Sequence, residues 1–240
     1  MRNTSEELNR ARALAVFTRQ MSTLVDVGIN LMCTLRILEH DAPAPYNLAA
    51  RDVQKPIMNG RTLCDAIGVI PDLFSPFYVK TIRWGEIGGV LEESLRCLAD
   101  MLEETLKIAS LTGKTVEWAW PLYPSERPAP QDWSELDEAQ RKLILMMFCR
   151  SLGLMMSAGV PDKLALETSA DLLPAPQRES VRSIADRMVG RGFSEPLAEL
   201  EFVPVILKEL LRVFEGAESF PDVLEKASHM YRRQLECEFA

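Results

Sequence analysis

The chain of 240 residues is poor in the residue types that carry chemistry at many enzyme and metal sites. It has 2 histidines, His40 and His229, and neither stands in a zinc-binding helix motif. Its 5 cysteines form no Cys-x-x-Cys pair, which is typical of reduced, mostly buried thiols in a cytosolic protein. No Gly-x-Ser-x-Gly elbow of a serine hydrolase occurs. We therefore expect no catalytic residue, no cofactor and no metal site.

Positive charge and long apolar runs are also scarce. The formal net charge is −8, which argues against nucleic acid and anionic lipid as partners. The longest uncharged run, Ser151 to Pro161, falls short of the ~20 residues that cross a bilayer. Charged residues near the N-terminus exclude a signal peptide. The Thr-Gly-Lys-Thr run at 112–115 is no phosphate-binding loop, because Ile108 stands where a glycine is required.

An internal duplication is the strongest pattern in the chain. Residues 17–28 read FTRQMSTLVDVG and residues 148–159 read FCRSLGLMMSAG, with phenylalanine, arginine and glycine at the same spacing. Further matched positions are Phe74 with Phe202, Pro76 with Pro204, Glu86 with Glu215, and Leu91 with Phe220. A repeated helical unit favours a scaffold over an enzyme.

Helix signals recur through both copies, and no segment shows sustained strand alternation. Apolar residues at helical spacing, proline-led starts such as Ser75-Pro76 and closing glycines give six helices per copy. We predict an all-α fold of two tandem six-helix bundles. The first bundle spans 1–110, a linker spans 111–133 and the second bundle spans 134–240.

The linker combines four prolines with three of the four tryptophans. Its prolines indicate a connection, and Trp118, Trp120 and Trp133 indicate that it packs against one or both bundles. The alternative is an aromatic contact with a membrane interface, although no basic residue lies in 117–126.

The ordered motifs resemble the F-protein family of bacterial type II secretion, whose pilus branch is the inner-membrane platform protein of type IV pili. The resemblance covers most of both halves and excludes the linker. It is carried by the first-helix run Phe-x-Arg-Gln and by the later run Gly-Glu-x-x-Gly-x-Leu. The matching or repeated residues, taken as possible interaction residues, are Phe17, Arg19, Gln20, Gly28, Gly85, Glu86, Gly88, Phe148, Arg150, Gly159 and Glu215.

The resemblance implies a compact six-helix bundle for each copy and a non-catalytic platform role. Expected partners are a secretion or pilus ATPase and pilin or pseudopilin assembly components, and family members commonly dimerise. The expected location is cytoplasmic, at the inner face of the inner membrane through membrane partners. Alternatives left open are a diverged soluble adaptor or regulator outside the machine, and a helical protein that binds a small molecule between its bundles.

Two departures from the family stand out. Family members carry membrane spans after each cytoplasmic bundle, and this chain shows none. Met1 and the coherent linker favour a relative that lacks the spans naturally over one from which they were removed. The Gly-Glu motif is also altered in the second copy, around Glu215.

Physical roles can be assigned to several motif residues. Gly28 and Gly159 are expected at helix ends with positive φ. Glu86 is expected at a helix-to-helix corner, where it caps the following helix, faces a partner or binds a hard cation. Arg19 and Arg150 are expected to pair with a carboxylate inside each bundle or to form a dimer contact.

Overall fold

A computed structural model of the protein describes residues 4–112, 121–124, 131–187, 194–213 and 220–238. Within these ranges the regular elements are α-helices and one short 3₁₀ helix, which confirms the all-α class. By its internal contacts the chain divides into two compact units, Met1–Arg127 and Pro128–Ala240. The division lies inside the segment that the sequence assigns to the linker.

The first unit contains six described helices, of which the first and last are the longest. Helix α1 packs along α6, α2 packs on α3, and α5 packs on both α4 and α6. Their bounds are α1 Thr4–Asp26, α2 Leu31–Asp41, α3 Tyr46–Met58, α4 Leu63–Ile67, α5 Pro76–Gly88 and α6 Leu91–Thr112.

The second unit follows the same order in the part of it that is described. Its first helix packs along its last, and α8 packs on α7 and α9. A 3₁₀ helix, Trp133–Glu135, precedes α7 Glu138–Ser157, α8 Asp162–Ala170, α9 Ala175–Arg187, α10 Ser194–Ala198, α11 Val205–Val213 and α12 Phe220–Glu238.

Helices α1 and α7, the first α-helix of each unit, end in the same way. Gly28 and Gly159 have φ of +83° and +73°, a region that glycine occupies without steric cost, as the sequence predicts. The Gly28 N–H donates to Val25 O at 2.9 Å, and the next N–H reaches back to Leu24 O at 3.0 Å. The N–H groups of Gly159 and the residue after it make the corresponding pair of bonds. This Schellman arrangement satisfies carbonyls that the helix end would leave unpaired.

Helix starts also follow their local sequence. Ser75 Oγ accepts from the Tyr78 N–H at 3.2 Å, and Pro76 occupies the first helical position of α5. The sequence predicts that Ser134 with Asp137 caps the first helix of the second copy, but Ser134 lies in the 3₁₀ helix and does not cap α7. Asp137 is the N-cap and forms a capping box with Gln140, with both hydrogen bonds at 2.8 Å.

The described part of the linker is anchored to each unit by an aromatic residue. Tyr123 is buried in the first unit and its hydroxyl donates to Leu102 O at 3.3 Å. Just before it, Pro121 O accepts from the buried Ser75 Oγ at 2.6 Å. In the second unit the Trp133 ring packs against Phe202 with centroids 5.3 Å apart. Trp118 and Trp120 lie outside the described residues.

Candidate functional site

The first motif residue, Phe17, belongs to an aromatic cluster inside the first unit. Its side chain is 1% exposed and its ring lies 5.5 Å from that of Tyr46 and 6.0 Å from that of Phe74. Phe74 in turn lies 5.2 Å from Tyr78, whose hydroxyl shares a 3.1 Å hydrogen bond with Thr18. Such ring pairs add about 0.5–1.5 kcal/mol each beyond the burial of their area. Phe17 therefore packs the core and is closed to any partner.

Arg19 makes an ion-pair network with α6. Its Nε and Nη2 each donate to one oxygen of Glu103, both at 2.7 Å, and Nη2 also donates to Asp100. Hydrogen bonding to Glu103 raises the pKa of Arg19 against the opposing effect of burial, and Asp100 adds to the rise. Of the two alternatives from the sequence, the structure shows the pairing inside the bundle for Arg19.

The counterpart helix of the second copy carries different side chains at the matched positions. With Leu91 set against Phe220, the positions of Asp100 and Glu103 hold His229 and Arg232. His229 lies 3.7 Å from Glu225 and Arg232 lies 3.5 Å from Glu236. The carboxylate pair that binds Arg19 is thus absent from the corresponding turn of α12, and Arg150 itself is partly buried.

Gln20 lies one position after Arg19 and is only partly buried as a whole. Its side-chain amide oxygen is buried and accepts no hydrogen bond from the described residues.

The Gly-Glu motif lies within α5, and the corner comes after it. Helix α5 continues through Gly88 and ends at Gly89, which has φ of +69°. A Cβ added to Gly85 would lie 2.5 Å from Ser94 Oγ and 3.2 Å from Leu91 Cα. Gly85 is therefore required for the close approach of α5 and α6, and the turn depends on Gly89.

Glu86 caps a helix, but a different one from the helix expected. Its two carboxylate oxygens accept from the Leu63 N–H at 2.6 Å and the Cys64 N–H at 3.0 Å, at the start of α4. The next N–H of α4, from Asp65, is bound by Thr62 Oγ at 3.2 Å. The expectation that Glu86 caps the following helix is wrong, because Glu86 is helical and one turn too early to reach α6. Both oxygens are committed to the backbone, so Glu86 fastens α5 to α4.

The matched residues of the second copy are placed only in part. Phe148 is 3% exposed, so it belongs to the core of the second unit. Glu215 lies outside the described residues.

All five cysteines are free thiols, and three of them are buried. Burial raises the pKa of Cys149 to about 12, so its thiol stays protonated and unreactive at neutral pH. This agrees with the expectation of scattered, mostly buried thiols.

Sequence reasoning missed two features of the surface and interior. The carboxylate partners of Arg19 lie more than 80 positions away in the chain and carry no motif of their own. The sequence also gives no sign of a cavity in the second unit, lined by Trp133, Phe202 and Tyr231, although it predicts that Trp133 packs against a bundle. Among the described helices, none is both long enough and apolar enough to cross a membrane.

Comparison with known proteins places these features in a family. The sequence profile of the family described as Type II secretion system (T2SS), protein F matches residues 17–112 and 148–237. The Type IV pilus assembly protein PilC of Myxococcus xanthus is 22% identical over an alignment of 303 positions, which covers 93% of this chain and 71% of that protein. The Type 4 fimbrial assembly protein PilC of Pseudomonas putida is 24% identical over an alignment of 302 positions, which covers 92% of this chain and 74% of that protein.

A shorter and more similar match is the Type II secretion system protein F of Xanthomonas campestris. It is 34% identical over 106 residues, covering 43% of this chain and 25% of that protein. The two matched segments of the profile contain both copies of the first-helix motif and together exceed half of the chain. The chain therefore belongs to the family of Type II secretion system protein F.

Proposed function

We propose that the protein is a non-catalytic platform component of a type II secretion or type IV pilus machine. It binds a secretion or pilus ATPase and pilin or pseudopilin assembly components, at the cytoplasmic face of the inner membrane. The observation that supports this proposal is the family match on both copies of the repeat, with relatives named for secretion and pilus assembly.

The structure supports a binding role through the use it makes of the motif residues. Phe17 packs in the core, Gly85 allows the close approach of α5 and α6, and Glu86 caps α4. Arg19 is held by two carboxylates. These motif residues make their contacts inside the bundle. We therefore expect partner proteins to bind other residues, on the surface of the bundle.

One such surface is the solvent-facing side of α1, which we call the α1 face. It comprises Arg12, Val16 and Thr23, with Val27 just beyond the helix end. Val16 is 47% exposed and Val27 is 67% exposed. These residues recur at helical spacing on one side of α1, and the proposed contact with another protein would cover the two exposed valines.

The test is affinity capture of the tagged full chain from its native cells, with quantitative mass spectrometry of the captured proteins. We expect enrichment of a hexameric secretion or pilus ATPase, or of pilin-like subunits, over a tag-only control. Recovery of unrelated proteins only would contradict the machine assignment and favour an adaptor outside it.

Two surface variants then locate the contact. Val16→Asp places a charge in the α1 face, and Arg51→Glu changes a charge at a similarly exposed site of the same unit. Loss of capture with Val16→Asp alone assigns the α1 face to the partner. Equal capture by both variants moves the contact to another surface and leaves the machine assignment intact.

A further inference from the structure

A surface groove lies within the second unit, between α9 and the residues that follow α10. Its volume is about 570 Å³, within the usual range of binding clefts. The residues that α9 contributes recur at the spacing of one helix face. The lining consists of Pro176, Glu179, Ser180, Ser183 and Ile184 from α9, with Glu199 and Leu200.

The floor of the groove is apolar and is fixed by packing. Ile184 is 3% exposed and Leu200 is 6% exposed, so both side chains pack into the unit and show only an edge to the groove. The Leu200 N–H donates to Leu197 O at 3.3 Å, and Leu200 O accepts from the Val203 N–H at 3.2 Å. A floor that is ordered before binding loses little conformational entropy when a ligand arrives.

Two exposed carboxylates of the groove are not neutralised. Neither Glu179 nor Glu199 forms an ion pair or a side-chain hydrogen bond within the part of the chain that the structure describes. Two arginines of α9 are engaged elsewhere: Arg178 Nη2 donates to a backbone carbonyl before the helix at 3.1 Å, and Arg182 Nη2 pairs with Asp171 at 3.2 Å. The groove therefore presents negative charge to a ligand.

The length of the groove and its apolar floor favour a chain segment over a bare ion. From Pro176 to Ile184 the lining follows about 12 Å of α9, at 1.5 Å per residue. An extended segment of about four residues spans that distance. A divalent cation requires about six oxygen ligands and would leave the floor uncovered. A basic side chain fits both parts, since its methylene stem covers apolar surface while its charge meets a carboxylate.

We propose that this groove binds an extended basic segment of a partner protein. The methylene groups of an arginine or lysine lie on Ile184 and Leu200, and its cation pairs with Glu179 and Glu199. The Ser180 hydroxyl donates to a backbone carbonyl of its own helix at 3.0 Å, so its oxygen remains able to accept from the segment. Binding here does not depend on which machine the protein serves.

The experiment titrates the ¹⁵N-labelled full chain with a peptide, acetyl-Gly-Arg-Ala-Arg-Gly-amide, and follows amide chemical shifts at low and high sodium chloride. A second peptide carries citrulline at both arginine positions, which keeps the shape and removes the charge. We expect shifts centred on Ser180, Ser183 and Leu200. The arginine peptide should bind about tenfold more tightly than the citrulline peptide at low salt, and high salt should remove most of this advantage.

Glu179→Gln and Glu199→Gln should each weaken binding of the arginine peptide about threefold and leave the citrulline peptide unchanged. The matched control is Glu225→Gln on α12, which makes the same change of net charge at a 72% exposed position outside the groove and should leave binding unchanged. Ser180→Arg places a resident cation at the two carboxylates and should abolish binding. Because Ser180 is exposed, this variant provides a second test that does not disturb the core.

Four results would overturn the proposal. The first is that neither peptide shifts the groove amides up to about 5 mM. The second is that the citrulline peptide binds as tightly as the arginine peptide. The third is an equal loss in Glu225→Gln and Glu179→Gln, which would assign the attraction to the net charge of the protein. The fourth is that spermidine, titrated separately, binds as tightly as the arginine peptide, which would make the occupant a free polyamine.

Discussion

Helices α1 and α7 begin the two copies of the repeat, and their corresponding faces differ in burial. Val16 is 47% exposed, whereas Met147 at the matched position is fully buried. Arg12 is likewise exposed, whereas its counterpart Leu143 is fully buried. Helix α1 has a solvent-facing side and α7 has almost none, because buried, mostly apolar residues of α7 lie on nearly every side of the helix. A duplicated helix can thus keep its sequence motif and its end while its environment changes.

The largest effect is expected from placing a charge at the matched positions. Met147→Asp should lower the free energy of unfolding by roughly 4 kcal/mol or more, because it buries an unpaired carboxylate. Val16→Asp should change it by less than about 0.5 kcal/mol, since the side chain remains in water. Urea unfolding followed by circular dichroism measures both, and Met147→Leu is the control for volume, at under about 1.5 kcal/mol. Equal losses at the two positions would remove the distinction between the helices.

The matched phenylalanines come next. Phe17→Ala and Phe148→Ala should each cost about 3–5 kcal/mol of unfolding free energy, because both side chains are buried. Phe17→Ala should cost about 1 kcal/mol more, since it also removes ring contacts with Tyr46 and Phe74. Phe17→Leu, which keeps most of the volume, separates the two contributions. A larger loss at Phe148 would show that the aromatic cluster adds nothing beyond its area.

Two helical glycines give a smaller contrast. A Cβ at Gly85 would lie 2.5 Å from Ser94 Oγ, whereas one at Gly153 would lie 3.2 Å from Pro221 O and 3.3 Å from Leu224 Cβ. Gly85→Ala should therefore cost about 2–3 kcal/mol and Gly153→Ala about 1 kcal/mol or less. Thermal unfolding of both variants gives the comparison. Adding Ser94→Gly should recover part of the loss in Gly85→Ala, and no recovery would point to a cause other than this contact.

The smallest effect concerns the ion-pair network of Arg19. Its side chain is 34% exposed, so Arg19→Ala should cost only about 1 kcal/mol, and the cost should shrink at high salt. Arg51→Ala removes a more exposed pair with Asp52 and should cost less than about 0.5 kcal/mol. Urea titrations at low and high sodium chloride measure both. A salt-independent loss at Arg19 would indicate that its packing, and not its charge, stabilises the bundle.

Local signals in the sequence predicted much of the fold. Gly28, Gly159 and the Ser75-Pro76 start each act through bonds to neighbouring backbone, so a short stretch of sequence contains their cause. The corner expected at Glu86 comes later, because α5 continues through Gly88. Gly85 is needed for the close approach of Ser94 on the next helix, a contact that sequence spacing does not reveal.

The candidate sites were less predictable, for a related reason. Glu86 and Arg19 act on residues 22 to 84 positions away, so their partners depend on how the helices pack. The burial of Met147 depends on its surroundings in the same way. A motif can mark which residue matters, but the contact that gives it a role appears only when the bundle is assembled.

The proposed platform role requires this protein to bind components of a secretion or pilus machine. The most direct measurement is co-elution of the purified full chain with the purified secretion or pilus ATPase of the same organism, on size exclusion with light scattering. We expect a complex of defined mass, and Val16→Asp should weaken it if the α1 face forms the contact. Separate elution of the two proteins at concentrations of tens of micromolar, together with no complex with the pilin-like subunits, would contradict it.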